Sequence, residues 1–494
     1  MRHDRAGGIF HPAFEKAALN GRVRRFASLL KAPGPFSLMG LIGRILQGAS
    51  GLAGTDWPAR GPAIVRSGRC GPWVGLGLAS AWATILAAAP ANRPNVILFL
   101  VDDLAYGDLA CHGNRHAQTP RIDAFAREAV KLERFYVSPV CAPTRASLLT
   151  GRYSFRGGVS DVFGAACQLD PGEETLAEAL RAAGYATGVF GKWHLGDEGP
   201  HTPNAQGFDE ALVHTLPAMR RYQDPTLLHN GVKQEFKGYC LDIFTDHAID
   251  FVRRHRARPF FLYLPPNLIH TPLQVAEELA APFARLGVSA STAKIYAMLQ
   301  NVDRNFGRLR AALQELGLEE DTLFLFTSDN GPCSGSVPVD RHMAGLHGLK
   351  GTVYENGIRV PAYVRWPAGV RAPAHVRRVT AHIDVFPTAL AACGVAAPAG
   401  RKLDGRNLLP LLRDPSTAWE DRTVFLQWDS GAVPRPGQAF CAIRERWKLV
   451  QPCGMDSPRQ QHIRDRYTEL CRLQGRGERR IDGPPRHELY DLQD

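Results

Sequence analysis

Three apolar runs of strand length set the strongest limit on how this chain can fold. Asn95-Val-Ile-Leu-Phe-Leu-Val101 leads into Asp102 and Asp103. Pro259-Phe-Phe-Leu-Tyr-Leu264 leads towards Asn267-Leu-Ile-His270, and Thr322-Leu-Phe-Leu-Phe-Thr327 into Ser328-Asp-Asn-Gly331. A strand with no polar alternation is buried on both faces, which is the habit of parallel sheets covered by helices. The intervening segments carry helical spacing: Ile122, Phe125, Ala126 and Ala129; then Phe244, Ala248, Phe251 and Val252; then Ile295, Leu299, Val302, Phe306, Leu309, Leu313 and Leu316. A helix from Thr175 to Ala183 stopped by Gly184, a strand from Ala186 to Phe190, and a helix from Asp384 to Cys393 closed by Gly394 extend the alternation. The expected fold class is therefore α/β, with a large, mostly parallel sheet sandwiched by helices. In such folds ligands gather outside the carboxyl ends of the strands, where the polar clusters stand here.

Beyond about residue 420 the texture changes. Val424–Trp428, Phe440–Arg444, Trp447–Gln451 and Glu488–Leu492 are short strand-like runs, which predicts a small C-terminal antiparallel sheet. Residues 456–487, rich in Arg, Gln and Gly, are expected to form a loop. The expected division is a leader over 1–92, a catalytic domain over 93–419 and a small α+β subdomain over 420–494.

The net charge of +11 invites a nucleic-acid reading, but +8 of it falls within the first 72 residues, leaving +3 for the rest. The folded body therefore lacks the basic footprint of a nucleic-acid binder. Residues 73–89, Trp-Val-Gly-Leu-Gly-Leu-Ala-Ser-Ala-Trp-Ala-Thr-Ile-Leu-Ala-Ala-Ala, carry no charge, follow Arg66 and Arg69, and exit through small residues to Ala91. That is the layout of a secretory signal, so export to a periplasm or secretion is expected, with a membrane anchor if 73–89 is not cleaved. A signal seldom begins 70 residues into a chain, so either translation starts downstream of Met1 or 1–70 is an unstructured extension. The ten cysteines show no Cys-x-x-Cys spacing, which argues against a zinc site. Disulfides suit an exported protein, and Cys441 and Cys453, flanking a hairpin, are the first candidate pair.

Asp102 and Asp103 end one strand; Asp329 and Asn330 end another. Neighbouring strand residues point to opposite faces, so each pair converges only if the chain turns at the strand end. Taken singly, such pairs are usually caps or turns. Together they form an all-oxygen set suited to Ca²⁺ or Mg²⁺. Lys192 and His194, two apart after a strand, and His270 and Lys350, in other loops, would add cations and proton-transfer groups. Alone, each is a solvated lysine or a hydrogen-bonded histidine. Around a dication they suit hydrolysis of a tetrahedral oxyanion ester. Cys141 precedes Pro143, which can open a helix, and would then stand one turn from Arg145. A lone cysteine there is ordinarily a small core hydrophobe.

In order along the chain, Asp102-Asp103, Cys141-Ala-Pro-Thr-Arg145 with Leu149-Thr-Gly-Arg152, Gly184-Tyr-Ala-Thr-Gly-Val-Phe-Gly-Lys-Trp-His194, Ser328-Asp-Asn-Gly331, Gly348-Leu-Lys-Gly351 and Gly357-Ile-Arg-Val-Pro361 together resemble the type I, formylglycine-dependent sulfatases. These belong to the alkaline phosphatase superfamily, and the arylsulfatase-like members are most similar; the resemblance spans about residues 94–492. It implies that a separate formylglycine-generating enzyme oxidises Cys141 to Cα-formylglycine (3-oxoalanine), whose hydrate is the nucleophile. Arg145 and Lys192 would hold that diol. Asp102, Asp103, Asp329, Asn330 and modified Cys141 would bind the metal, calcium for preference and magnesium as an alternative. Asp329 would be the base, His270 and Lys350 would contact the sulfate, and His194 would take the proton that lets sulfate leave. The substrate would be a small-molecule or glycan sulfate ester, and the products inorganic sulfate and an alcohol or phenol.

Thr144 stands where serine is commoner in the family, but it keeps the hydroxyl. Pro265-Pro-Asn-Leu-Ile before His270 departs from the family's usual aromatic or histidine, so substrate contacts stay open. So does the completeness of the C-terminal subdomain, since family members usually continue past the last strand. Residues 200–237, with His214, Arg220, Arg221 and His229, are the expected pocket lining. Two rival readings remain: a formylglycine-dependent phosphonate monoester or phosphodiester hydrolase, and a non-catalytic, membrane-tethered binding protein. Oligomeric state is not legible.

Overall fold

The computed structural model describes residues 93–333, 338, 340–430, 438–452, 458–473 and 487–492. The strands are β1 (Asn95–Val101), β2 (Val130–Tyr136), β3 (Ala186–Lys192), β4 (Glu210–His214), β5 (Thr226–His229), β6 (Val232–Glu235), β7 (Phe260–Leu264), β8 (Thr322–Ser328), β9 (Ala362–Arg365), β10 (Ala374–Ala381), β11 (Val424–Gln427), β12 (Phe440–Arg444), β13 (Trp447–Gln451) and β14 (Glu488–Asp491). The helices used below are α1 (Pro120–Glu128), α2 (Cys141–Thr150), α3 (Leu176–Ala182), α4 (Cys240–His255), α5 (Ala290–Glu315) and α6 (Pro458–Leu473).

Ten strands form one sheet in the order β10-β2-β9-β8-β1-β7-β3-β4-β5-β6. Its centre is parallel, β8 and β7 flanking β1, then β3 and β4. Antiparallel pairing enters at β9, which sits between β2 and β8, and at the β5–β6 hairpin beyond β4. The apolar run of β1 feeds both sides of this sheet. Val96, Leu98 and Leu100 belong to one buried cluster, whereas Ile97, Phe99 and Val101 belong to the other. On the second face Phe306 of α5 meets Phe99 and Phe125 edge-on, at 5.4 and 5.2 Å between ring centroids.

The helices form for local reasons as well. Thr175 caps α3 by accepting from the Glu178 N–H, while the Glu178 carboxylate accepts from the Thr175 N–H. The helix α2 ends on Gly151, whose φ of +69° gives the left-handed closing residue.

A separate antiparallel sheet, β11-β12-β13-β14, matches the expected C-terminal strands. Within the expected loop, however, residues 458–473 form the helix α6. Pro458-Arg-Gln-Gln-His-Ile-Arg-Asp-Arg-Tyr-Thr-Glu-Leu-Cys-Arg-Leu473 has no internal glycine or proline and is rich in good helix formers, so polarity misled the loop assignment. Strands β2, β4, β5, β6, β9 and β10 also carry no signal strong enough to have been anticipated. Strand β3 runs two residues beyond its expected end, to Lys192.

Among the described residues no helix is long and apolar enough to cross a membrane. The signal-like segment 73–91 and Cys453 lie outside the described residues, so the expected leader and the Cys441–Cys453 pair do too.

Candidate active site

The site grows from the carboxyl ends of β1, β3, β7 and β8. Register pairs Val101 with Ser328, so Asp102 and Asp329 leave adjacent strands side by side. Asp103 then takes φ +63°, turning the chain so that its carboxylate joins that of Asp102. This is the turn that convergence of neighbouring strand residues requires. A buried ion pair supports it: Arg341 Nε and Nη2 donate to Asp108 Oδ1 and Oδ2 at 2.9 and 2.5 Å, and Nη2 also donates to the Asp103 carbonyl at 3.1 Å. Ser328 Oγ accepts from the Leu104 N–H and donates to the Val101 carbonyl.

Close backbone approach brings up the neighbouring strand ends. Lys192 N–H donates to the Pro265 carbonyl at 2.7 Å. A Cβ on the preceding Gly191, φ +141°, would lie 2.1 Å from that same carbonyl oxygen. Glycine is therefore required there. Asp102 N–H donates to the Leu268 carbonyl, and Ile269 N–H to the Asp102 carbonyl, which places His270 alongside.

The residues predicted to be catalytic or metal-ligating meet here. Lys192 Nζ donates to Asp102 Oδ2 at 2.6 Å, and Lys350 Nζ to Asp103 Oδ1 at 2.6 Å. Arg145 donates to Asp329 Oδ2 and to the Lys192 carbonyl, both at 2.7 Å. His270 Nε2 lies 3.8 Å from Asp103 Oδ2. The helix α2 starts at Cys141 itself, two residues before Pro143, and is buried along its whole length. Cys141 Sγ is 3.3 Å from His194 Nδ1. His194 Nε2 faces the Val162 carbonyl at 2.9 Å, so Nε2 carries the proton and Nδ1 is the acceptor for the thiol. His194 is held by φ +61° rather than by a continued strand.

Among the described residues, three buried oxygens in this cluster have no hydrogen-bond partner: Asp102 Oδ1, Asp103 Oδ2 and Asn330 Oδ1. Orphaned buried acceptors are costly and call for a cation. Atoms of Asp102, Cys141 and Asp329 lie within 4.8 Å of one another, as do atoms of Asp102, Asp103 and His270. A hard oxygen set of this kind fits Ca²⁺ or Mg²⁺. Electrostatics agree. Burial opposes ionisation of Asp102 and Asp103, yet Lys192 acting on the first and Lys350 on the second hold both below the usual carboxylate range. Asp329 is pushed up by burial and by Asp102 across the site, the pattern of carboxylates that face each other. Burial raises the Cys141 thiol, so the residue is not a poised thiolate. Burial and the nearby Lys192 hold His194 well below the free imidazole value.

Of the expected pocket segment, His214 reaches the site: it pairs in register with Lys192 and is buried. Arg220 and Arg221 are exposed. His229 faces elsewhere, against His247 of α4. The Arg341–Asp108 pair has no sequence motif, and a positive φ at an aspartate is its only trace.

Fold and site define a class: a metal-assisted hydrolase of alkaline-phosphatase-like α/β architecture. Residues 94–395 match the family profile described as Sulfatase, and residues 345–457 that described as N-sulphoglucosamine sulphohydrolase, C-terminal. The chain is 33% identical to the steryl-sulfatase of Mus musculus, over 70% of this chain and 71% of that protein. It is 31% identical to the N-acetylgalactosamine-6-sulfatase of Canis lupus familiaris, over 69% of each. The solved structure of Ps i-CgsB in complex with k-i-k-neocarrahexaose superposes with a TM-score of 0.67 at 27% identity, covering 78% of this chain and 92% of that one. The chain belongs to the sulfatase family, whose activity is hydrolysis of sulfuric esters.

Proposed function

We propose that residues 93–419 hydrolyse a small-molecule or glycan sulfate ester with a formylglycine derived from Cys141, residues 420–494 acting as a supporting subdomain. The observation that carries this is the setting of Cys141. Its sulfur is enclosed within 4.8 Å of carboxylate oxygens of Asp102 and Asp329, and burial drives its thiol away from ionisation even with Lys192 and Lys350 nearby. Position, not thiol acidity, is the asset at 141. Oxidised by a formylglycine-generating enzyme and hydrated, the residue supplies an oxygen nucleophile and a second hydroxyl whose deprotonation releases sulfate by C–O cleavage.

The chain's own groups support each part of that chemistry. Asp102, Asp103, Asp329 and Asn330 would hold Ca²⁺, with Mg²⁺ as the alternative, and the ion would supply Lewis acidity and orientation. Arg145, Lys192 and Lys350 balance the three carboxylates, so a bound dication leaves net positive charge for the sulfuryl oxygens. Asp329, held by Arg145 at 2.7 Å and within 4.8 Å of the residue 141 side chain, is placed for a proton-accepting role during attack. His270 and Lys350 would contact the sulfate and assist the leaving oxygen. His194, neutral and already accepting from residue 141, would take the second proton. The signal-like leader supports export, to a periplasm or outside the cell, with an anchor if residues 73–89 are retained.

Released sulfate from a panel of aryl sulfates and sulfated glycans tests the reaction and finds the substrate. Mass spectrometry of the Cys141 peptide, after expression with the maturation enzyme, is expected to find the aldehyde. Unmodified cysteine in active protein would overturn the nucleophile. A strong preference for a nitrophenyl phosphodiester over nitrophenyl sulfate would replace the sulfate-ester reading by the diesterase one.

A further inference from the structure

A second cluster of metal-ligating side chains lies at the other end of β4. Strand register sets Leu212 opposite His229, so His229 shares a face with Glu210, two residues before Leu212. That face is covered by α4, which lays His247 over it. The His229 and His247 rings meet edge-on at 5.6 Å between centroids. Ligand atoms of Glu210, His229 and His247 lie within 4.8 Å of one another. All three residues are half-buried, so an ion could enter and keep one open position. Glu210 is four residues from His214, which places the cluster about 13 Å along the strand from the catalytic end.

We infer that Glu210, His229 and His247 form a second metal site, selective for a borderline transition ion such as Zn²⁺ rather than for the hard dication of the catalytic centre. Two imidazoles and one carboxylate, with a water as fourth ligand, are a zinc donor set. Among the described residues neither imidazole has a side-chain hydrogen bond, so none must break for binding. Arg254 Nη2 holds Glu210 Oε2 at 2.7 Å and is itself held through Nε by Asp250, which orients the carboxylate as outer partners of metal ligands do. Tetrahedral coordination needs ligand atoms about 3.3 Å apart, a contraction within reach of side-chain rotation. The ion would join the β5–β6 hairpin, at the sheet's free edge, to α4. It would not touch the reacting groups.

Tag-free protein with its calcium retained should be titrated with Zn²⁺ by calorimetry. One zinc per chain is expected, with affinity at least tenfold weaker in H229A and in H247A, and unchanged in C141A. Sulfatase activity and circular dichroism of H229A and H247A report that they are folded. Should either variant fail to fold, Co²⁺ on the unmodified chain provides the second reading: tetrahedral visible absorption supports the site, and an octahedral spectrum overturns it. No zinc bound at micromolar concentration, or binding that persists in H229A and H247A but disappears in D329A, would overturn it too.

Discussion

Single residues in this protein carry their meaning through what surrounds them. Asp329 is the clearest case. It bonds Arg145, faces Asp102 and lies at the end of β8, so one substitution would remove both the proposed metal donor and the proposed proton acceptor. Asp329→Ala is expected to lose the proposed divalent ion, read by elemental analysis, and at least about a thousandfold in turnover. A variant that keeps full activity would refute the site assignment. Cys141→Ala should abolish turnover to a similar degree, while thermal melting shifts by only a few degrees because a small buried group is trimmed. The residues themselves were largely legible in the sequence, since oxygen-rich strand ends and the Cys141–Arg145 spacing are chemical patterns. The geometry that unites them was not. The left-handed conformations of Asp103 and His194, and the Arg341–Asp108 brace, depend on contacts across hundreds of residues.

At the scale of elements, the site depends on strands ending at one level and on close backbone crossings there. Gly191 is the sharpest test. An added Cβ would collide with the Pro265 carbonyl that receives the Lys192 N–H, at a φ that side chains rarely adopt. Gly191→Ala is expected to cost about 2 kcal/mol or more in denaturant unfolding and to lower kcat, because Lys192 moves with the backbone. Unchanged stability and kcat would mean that the crossing is not tight. Continuous apolar runs announced β1, β7 and β8, and helical periodicity announced α1, α4 and α5. The edge strands were silent because they are short and mixed in character: β6, Val-Lys-Gln-Glu, is exposed throughout. Helix α6 was misjudged because a polar composition resembles a loop unless its lack of breakers is weighed.

For the whole molecule, pH is the variable that acts on many sites at once. Two histidines outside the catalytic cluster are held neutral. Burial takes His382 down to about 3, and His112 to about 4. A folded-state value below the free imidazole's ~6.5 means that the unfolded chain takes up protons first as pH falls. Their contribution to stability is therefore complete above ~6.5 and drains away towards pH 3–4. Denaturant midpoints should fall between pH 7 and pH 5, and H112N/H382N should flatten that slope. A double variant with the parent's slope would contradict the assignment. The core that such titration threatens is continuous. Val424, Leu426, Trp428 and Ile463 from the C-terminal region share one buried cluster with Val96, Leu98 and Leu100 of the central strand. Ile463 also covers Gly351, the neighbour of Lys350, where a Cβ would lie 2.6 Å from its Cδ1.

The enclosure of Cys141 has a further consequence, and it concerns timing. With 2% of its surface accessible, at the first turn of a helix buried from end to end, the residue offers nothing for a second enzyme to grip once the chain has folded. Under the proposed formylglycine mechanism, oxidation of that residue would have to run ahead of folding, with a nascent or still-extended segment as the substrate and not the finished protein. Folded, unmodified chain incubated with the maturation enzyme should stay unmodified, while the same chain unfolded, or a peptide spanning Cys141–Arg152, should be converted. Equal conversion of both would show that α2 opens. On that proposal a chain that folds too soon would stay inactive, its fate decided by a race before the active site exists.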